Sequence, residues 1–350
     1  MQPQSLCHSP GQLRRKLDMK IDRIAIIGAG MAGLACARRL HTAGVAAELF
    51  DKASRAGGRM ASRWLGLMGG TTLLDHGAQY FTARAPDFHA LCTEALIAGV
   101  IAPWTGELRD ERIGARAAHE EEARYRGNPD MNALPRWLAH GLSLQCDAAV
   151  QGLHRSAAGW SLEFAGRPAV GGFAAVVVAL PAEQTATLLE NVSPTLAAEA
   201  GGAYSAPCWA GLFGFGRAAR WPDWQALRPA DGHPLGWLAR CRDGRGLIAH
   251  PTPCWSLAHL EEPAAAVQTA LLAAVHEFAP GLGMPEVATV HRWRYALVEQ
   301  VVGSPFGFDP ALALGVCGDW RLGPRVEFAW ASGDALGVAL PGLLQSAVQA

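Results

Sequence analysis

The chain has 350 residues, half of them apolar, with 30 basic against 31 acidic side chains and a formal net charge of −1. That length accommodates two domains or one large one, and the near-neutral balance gives no electrostatic reason to bind nucleic acid or an anionic membrane. Its eight cysteines contain no C-x-x-C pair and no regular spacing, so they read as reduced, mostly buried thiols of a cytoplasmic protein, not as a disulfide framework or a zinc site.

Residues 1–20 mix polar and basic residues with prolines and lack the apolar core of a secretory signal, so they read as a flexible tail. No apolar run is long enough for a membrane-spanning helix; the longest, residues 173–180, suits a buried strand. The first strong signal is at residues 24–50. Ile24-Ala-Ile-Ile27 has the length and branching of a buried strand. Gly28, Gly30 and Gly33 follow at G-x-G-x-x-G spacing, and Met31, Leu34 and Leu40 then recur at helical intervals up to Gly44. A second strand over residues 45–50 is closed by Asp51. In such a unit Gly28 permits the tight turn, Gly30 admits a pyrophosphate close to the backbone, and Gly33 lets helix and strand touch. The helix N-terminus offers unpaired N–H groups to phosphate, and Asp51 stands at the offset of an acid that binds ribose hydroxyls. The strand–turn–helix context with the acid in place selects a dinucleotide site over a merely structural turn.

Next come Gly57-Gly58-Arg59-Met60, a backbone able to pass close to a phosphate beside a guanidinium. Residues 73–82, which include Gly77, Ala78, Gln79, Tyr80 and Phe81, read either as a strand passing beneath a planar ring or as an ordinary half-buried strand. Residues 85–130 differ in character: a helix around Phe88, Leu91, Cys92 and Leu96, then an irregular charged stretch whose run Glu120-Glu121-Glu122 reads as a solvated face, not a metal site. A turn at residues 127–131 leads to a helix with Leu134, Trp137 and Leu138, and strands follow at 144–150, 159–164 and 174–180. Over residues 189–289 the tryptophans at 209, 221, 224, 237 and 255 suggest an aromatic pocket or, for most of them, the packed face of an antiparallel sheet. An amphipathic helix is expected over 261–278, a strand over 312–317 closed by Gly318-Asp319, and a helix over 328–340. The nucleotide domain is therefore assembled from three segments (21–84, 131–188 and 290–350), and the substrate domain from two insertions (85–130 and 189–289). A contiguous block is the arrangement expected of an NAD domain; interleaving points to FAD.

Several stretches together resemble one family. Residues 26–34, Asp51-Lys52, Gly57 to Met60, Gly77 to Arg84, Trp237 to Arg240, His291-Arg-Trp293 with Tyr295, Val316 to Trp320, and Arg325-Val326-Glu327 match flavoproteins of the amine-oxidase superfamily, most closely the bacterial renalase branch. The resemblance covers about residues 22–340. It implies an α/β, Rossmann-like FAD domain of the glutathione-reductase type with an inserted antiparallel-sheet substrate domain. It further implies that Gly28 to Gly33 (with Met31 and Ala32), Gly58, Arg59 and Met60 hold the FAD diphosphate. Asp51 and Lys52 would lie at the adenosine ribose, Val150 at the adenine, and Gly77 to Phe81 at the isoalloxazine. Gly318 and Asp319 would meet the ribityl–phosphate portion, the Val326–Glu327 backbone the flavin O2 edge, where a helix N-terminus favours the reduced ring, and Arg325 would join the cofactor site.

The same resemblance implies non-covalent FAD that takes a hydride at N5 from isomeric dihydronicotinamides (2- or 6-dihydro-NAD(P)), giving NAD(P)+ and, with dioxygen, hydrogen peroxide. Such a substrate needs little acid–base help, because losing hydride leaves an aromatic cation. Many amine oxidases of the superfamily place a lysine near N5, whereas this chain has only Lys16, Lys20 and Lys52. Substrate-side candidates are Trp237, Arg240, His250, Trp293 and Tyr295, with Arg240, Arg242 and Arg245 open to either phosphate binding or an exposed turn. His250 reads either as a hydrogen-bonded structural residue or as a catalytic one. His250 and Cys254 do not make a metal pair, since Pro251 and Pro253 forbid the helix that would align them. Other readings are an amine oxidase, a desaturase or hydroxylase of lipid or aromatic substrates, and a flavin-binding protein without turnover.

Overall fold

The computed structural model describes residues 23–112 and 122–349; the 1–20 tail and Glu120-Glu121 lie outside them. A six-stranded sheet organises the first half of the molecule, in the order Gly307–Asp309, Leu314–Val316, Ala175–Val178, Ile24–Ile27, Ala47–Phe50, Ser143–Gln145, all parallel except the first strand. Ile24 lies opposite both Ala47 and Ala175. Successive side chains point to opposite faces of a strand, and the two faces of Ile24–Ile27 feed two cores. Ile24 and Ile26 join one with the Met31–Thr42 helix, while Ala25 and Ile27 join another with Phe50 and Phe173. Burial on both faces is why these strands read as continuous apolar runs.

The helix Met31–Thr42 ends at Gly44, whose φ of 72° an L side chain rarely adopts. Against it lies the C-terminal helix Val326–Gln349, which continues through Pro341 well past residue 340, its expected end. Gly333 and Gly337 let the two helices touch. A Cβ at Gly333 would stand 1.9 Å from the Ala32 carbonyl oxygen, and one at Gly337 2.8 Å from that of Cys36.

The second six-stranded sheet runs in the order Val287–Gln300, Tyr204–Gly214, Gly246–Pro251, Leu235–Arg240, Ala226–Arg228, Leu108–Asp110 and is backed by the helix Ala264–Phe278. Pro263 caps that helix, so it starts after residue 261. Trp209, Trp221, Trp224 and Trp255 pack on this sheet's core; Trp237 does not join them. Residues 85–130, grouped by sequence with this sheet, divide: the helix Pro86–Ile97 and the strands Ile101–Pro103 and Arg124–Gly127 pack into the core of the parallel sheet, and only Leu108–Asp110 joins the second one. Conversely Val287–Gln300 extends past residue 290 as an edge strand of the second sheet. The expected strand over 73–82 is two, Gly70–Asp75 and Phe81–Thr82. In the break Gly77 passes close to Arg59, where a Cβ would stand 1.9 Å from the Arg59 carbonyl oxygen.

Candidate functional site

Three segments distant in sequence meet at the end of the parallel strands. The Gly57 amide donates to the Ala29 carbonyl at 2.9 Å, and a Cβ on Gly58 would stand 3.5 Å from the Gly30 Cα. Arg59 donates to Asp319 across 260 residues at 2.5 Å and to the Ala296 carbonyl at 3.0 Å. Asp51 accepts from the Ala29 amide at 2.6 Å and the Ala53 amide at 2.8 Å, which fixes its carboxylate beside the glycine turn.

The three glycines have separate tasks. Gly28 turns at φ 104°, with a Cβ excluded by the Ala179 carbonyl at 2.6 Å, and a Cβ on Gly33 would stand 1.9 Å from the Gly28 carbonyl oxygen. Gly30 is different: a Cβ there meets no atom of the described residues within 4 Å, and the residue lines the cleft. The space over Gly30 is left for a ligand. Among the described residues no side chain caps the Met31–Thr42 helix and no acid sits in its first turn, so its first N–H groups face that space.

The cleft is one cavity of about 1900 Å³. It extends from Val150 and Asp51 past Gly58 and Asp319 to Gly77–Phe81 and on to Trp237, His250, Trp293 and Tyr295. Sites for a single small ligand hold about 300–1,000 Å³, so this one has room for an elongated cofactor and a second molecule. At the far end the imidazoles of His76, His250 and His291 gather. His76 stacks on Trp293 with centroids 5.4 Å apart and meets His291 edge-on at 5.0 Å. The His76 carbonyl accepts from Trp293 Nε1 at 3.0 Å and lies 3.1 Å from His250 Nε2. Burial pushes His76 down to about 3, helped by the charge of its neighbours, and pushes His250 and His291 down to about 4. All three are therefore neutral near pH 7. Opposite them Tyr80 accepts from Arg228 Nη2 at 2.5 Å, and that guanidinium lies 5.2 Å from the Trp237 ring. The Trp237 Nε1 and His76 Nδ1 are buried with no partner among the described residues.

Most of the residues expected at the site line this cleft. Gly33 does not, being consumed in helix–strand contact, nor does Glu327, whose carboxylate accepts the Arg84 amide at 2.9 Å and also that of Ala85. Arg240 is a correction. Trp237 faces the cleft, so Arg240, three residues along the same strand, points to the opposite face; there it lies 4.9 Å from the Trp221 ring and donates to the Pro222 carbonyl at 3.2 Å. Arg242 and Arg245 likewise donate outside the cleft, to Pro129 at 2.8 Å and Met68 at 3.2 Å. Sequence reasoning did not select His76, His291 or Arg228 as site residues. His76 and His291 stand inside the quoted motifs, yet only the packing of two sheets reveals that they face each other.

The residues present fit FAD. The open space over Gly30, the uncapped helix N-terminus and the Arg59–Asp319 pair lie along one channel with Asp51, and the orphaned Trp237 Nε1 lies at its other end. Residues 26–95 match the family described as an NAD(P)-binding Rossmann-like domain. Cyclohexylamine oxidase from Brevibacterium oxydans IH-35A superposes over 93% of this chain and 100% of its own with a TM-score of 0.69 at 12% identity. A candidate protoporphyrinogen oxidase from Exiguobacterium sp. 255-15 superposes over 94% and 99% with a TM-score of 0.68, also at 12% identity. The chain has the amine-oxidase fold. A candidate oxidoreductase of Escherichia coli (strain K12), UacF, is 36% identical over 77 residues, which is 22% of this chain and 12% of that protein. The amine-oxidase fold accounts for the interleaved topology, in which the second sheet closes over the far end of the nucleotide cleft. Among the described residues no helix is long and apolar enough to cross a membrane, and no cluster of metal-ligating side chains occurs.

Proposed function

We propose that the protein is an FAD-dependent oxidase of the renalase-like branch, working in the cytoplasm, whose substrates are anionic dihydronicotinamide dinucleotides reduced at the 2- or 6-position. FAD bound non-covalently supplies a two-electron acceptor at N5 that dioxygen can reoxidise to give hydrogen peroxide. The glycine turn, Arg59 and Asp319 would hold its diphosphate and ribityl portions, Asp51 its adenosine ribose, and residues 77–81 with the backbone at Val326 its ring.

The observation that carries the substrate reading is charge. The side chains lining the cleft include nine arginines and one lysine against three carboxylates, Asp51, Glu122 and Asp319. Six of the arginines already pair with carboxylates in or beside the cleft (Arg59 with Asp319, Arg84 and Arg325 with Glu122, Arg228 with Asp110, Arg292 and Arg294 with Glu261), and the positive excess left over these pairs and a cofactor diphosphate favours a second anion. An ammonium ion 4 Å from one guanidinium is disfavoured by about 4 kcal/mol at an effective dielectric of about 20. The cation-lined cleft is also unlike the long apolar tunnel a lipid desaturase needs. Trp237, Tyr80 and Trp293 offer aromatic faces to a nicotinamide ring, and the neutral imidazoles of His250 and His291 place no positive charge against the aromatic cation that forms.

Anaerobic mixing with borohydride-reduced NAD or NADP, which contains the 2- and 6-dihydro isomers, is the test. Bleaching of the flavin absorbance within seconds and its recovery in air are expected. Bleaching by simple amines alone would move the assignment to an amine oxidase, as the cyclohexylamine and putrescine oxidases that share the fold are named. No bleaching by either class would leave a flavin-binding protein without turnover.

A further inference from the structure

A second cavity, of about 470 Å³, lies beside residues 239–243, between the hairpin strand Gly70–Asp75 and the turn at Asn128-Pro129. Gln79 and Trp64 line both cavities. Arg126 and Arg242 line the smaller one; Arg240 lines it too, but its guanidinium lies against Trp221 on the other face of the sheet. Their known partners are neutral. Arg242 donates to the Asn128 side-chain oxygen at 3.0 Å and the Pro129 carbonyl at 2.8 Å, and Arg240 to the Pro222 carbonyl at 3.2 Å. The Nε atom of Arg126 is buried with no partner among the described residues.

Two carboxylates also line the cavity, and neither is ion-paired to these arginines among the described residues. Asp243 accepts from Thr72 at 3.0 Å, from the Cys241 thiol at 2.8 Å and from the Arg245 amide at 2.9 Å. Asp75 accepts from Ser62 at 2.6 Å and from the Met131 amide at 3.0 Å, and burial raises its carboxyl toward the neutral form. Burial and the like charge of Arg242 both act against the Arg126 guanidinium, and Asp75 offsets only part of that. A buried N–H without a partner and like charges held together are each costly unless something absent from the chain compensates them. Trp64, 57% exposed beside this cavity, adds an uncovered aromatic face.

We propose that this second cavity is a phosphoryl-binding site, in which Arg126 and Arg242 neutralise the phosphate of a free phosphate ester or of a dinucleotide reaching past Trp64 from the main cleft. Guanidinium forks suit phosphate because they donate two parallel hydrogen bonds and stay charged at any accessible pH. The dinucleotide case rests on the proposed function; the binding of phosphate does not.

The site is tested by calorimetric titration of the holoprotein with inorganic phosphate and with adenosine 5′-monophosphate, ionic strength being held constant with chloride. Saturable binding is expected in the native protein and in Arg217→Gln, an exposed position outside both cavities. Arg242→Gln, on an exposed turn, and Arg126→Gln should each weaken it at least tenfold, with Arg126→Lys restoring part. The absence of saturable binding, or equal affinity in Arg242→Gln, overturns the proposal even if Arg126→Gln fails to fold. The source of the phosphate is read from steady-state rates. If the dinucleotide supplies it, Arg242→Gln raises KM for 6-dihydro-NADP at unchanged kcat and leaves KM for the corresponding mononucleotide alone. If a free ester supplies it, neither KM moves while the calorimetric loss persists. Should the dihydronicotinamides prove not to be substrates at all, the calorimetry still decides the site.

Discussion

At the scale of single residues, the glycines of the G-x-G-x-x-G turn separate fold from ligand. Gly33 is excluded from carrying a side chain by backbone, the Gly28 carbonyl standing 1.9 Å from its would-be Cβ. Gly30 is excluded by nothing among the described residues and has an ordinary φ of −75°. Gly33→Ala should therefore destabilise the apoprotein by about 2 kcal/mol or more, since neither strand nor helix backbone can give way. Gly30→Ala should leave the apoprotein melting temperature within error and weaken FAD at least tenfold. Thermal melts of stripped protein, with fluorimetric titration of FAD, check both. Equal losses of apoprotein stability in the two variants would mean that the turn is a packing device and the space over Gly30 has no occupant.

At the scale of elements, the histidine cluster is made by three pieces that share no sequence periodicity: the turn after Gly70–Asp75, the end of Gly246–Pro251 and the middle of Val287–Gln300. Their pKa values lie below the ordinary 6.5, at about 3 for His76 and about 4 for His250 and His291. Below pH 6.5 the unfolded chain thus binds protons that the folded chain refuses. Their effect on stability is absent above 6.5 and grows as pH falls toward 4, by about 1.4 kcal/mol per pH unit for each imidazole. Urea unfolding between pH 7 and pH 4 should show this acid limb, and His250→Gln should make it shallower by one proton. An unchanged slope in that variant would mean that His250 is not buried in its neutral form. The same cluster shows where sequence stops being informative. The strand–turn–helix at residues 24–44 was legible because each part is local: a burial pattern, a glycine that turns, a helix that starts without a cap. The strand over 159–164 and the helix around Leu134 and Trp137 were legible for the same reason. Arg240 was misplaced because only the registered sheet tells which strand face meets the cleft. The helix Pro86–Ile97 looked foreign to the nucleotide half by composition, yet Phe88, Cys92 and Ala95 are among its most buried side chains.

At the scale of the whole molecule, charge is distributed unevenly: a chain of net charge −1 concentrates ten cationic side chains against three carboxylates around one cleft. Glu261, Asp110 and Glu327, which pair with cleft arginines from its edge, take back part of that excess, and what remains focuses the field where the ligand enters. Some of the cleft arginines are already engaged, such as Arg84, which pairs with Glu122, and Arg294, which lies 2.6 Å from Glu261. Others, such as Arg228, share a carboxylate: Asp110 lies 3.4 Å from Arg228 and 2.8 Å from Arg112. An arrangement of this kind acts through partly screened distances, and screening shortens from about 14 Å to about 4 Å as salt rises from about 0.05 M to about 0.5 M. For an anionic dihydronicotinamide dinucleotide, KM should therefore rise by about tenfold across that range while kcat stays within a factor of about two, since the chemical step takes place on the ring and not on the phosphates. The mononucleotide, with one phosphoryl group, should show a smaller rise. Steady-state peroxide formation against salt for the two substrates measures this directly. A KM indifferent to salt would mean that the cleft's excess positive charge serves the cofactor alone.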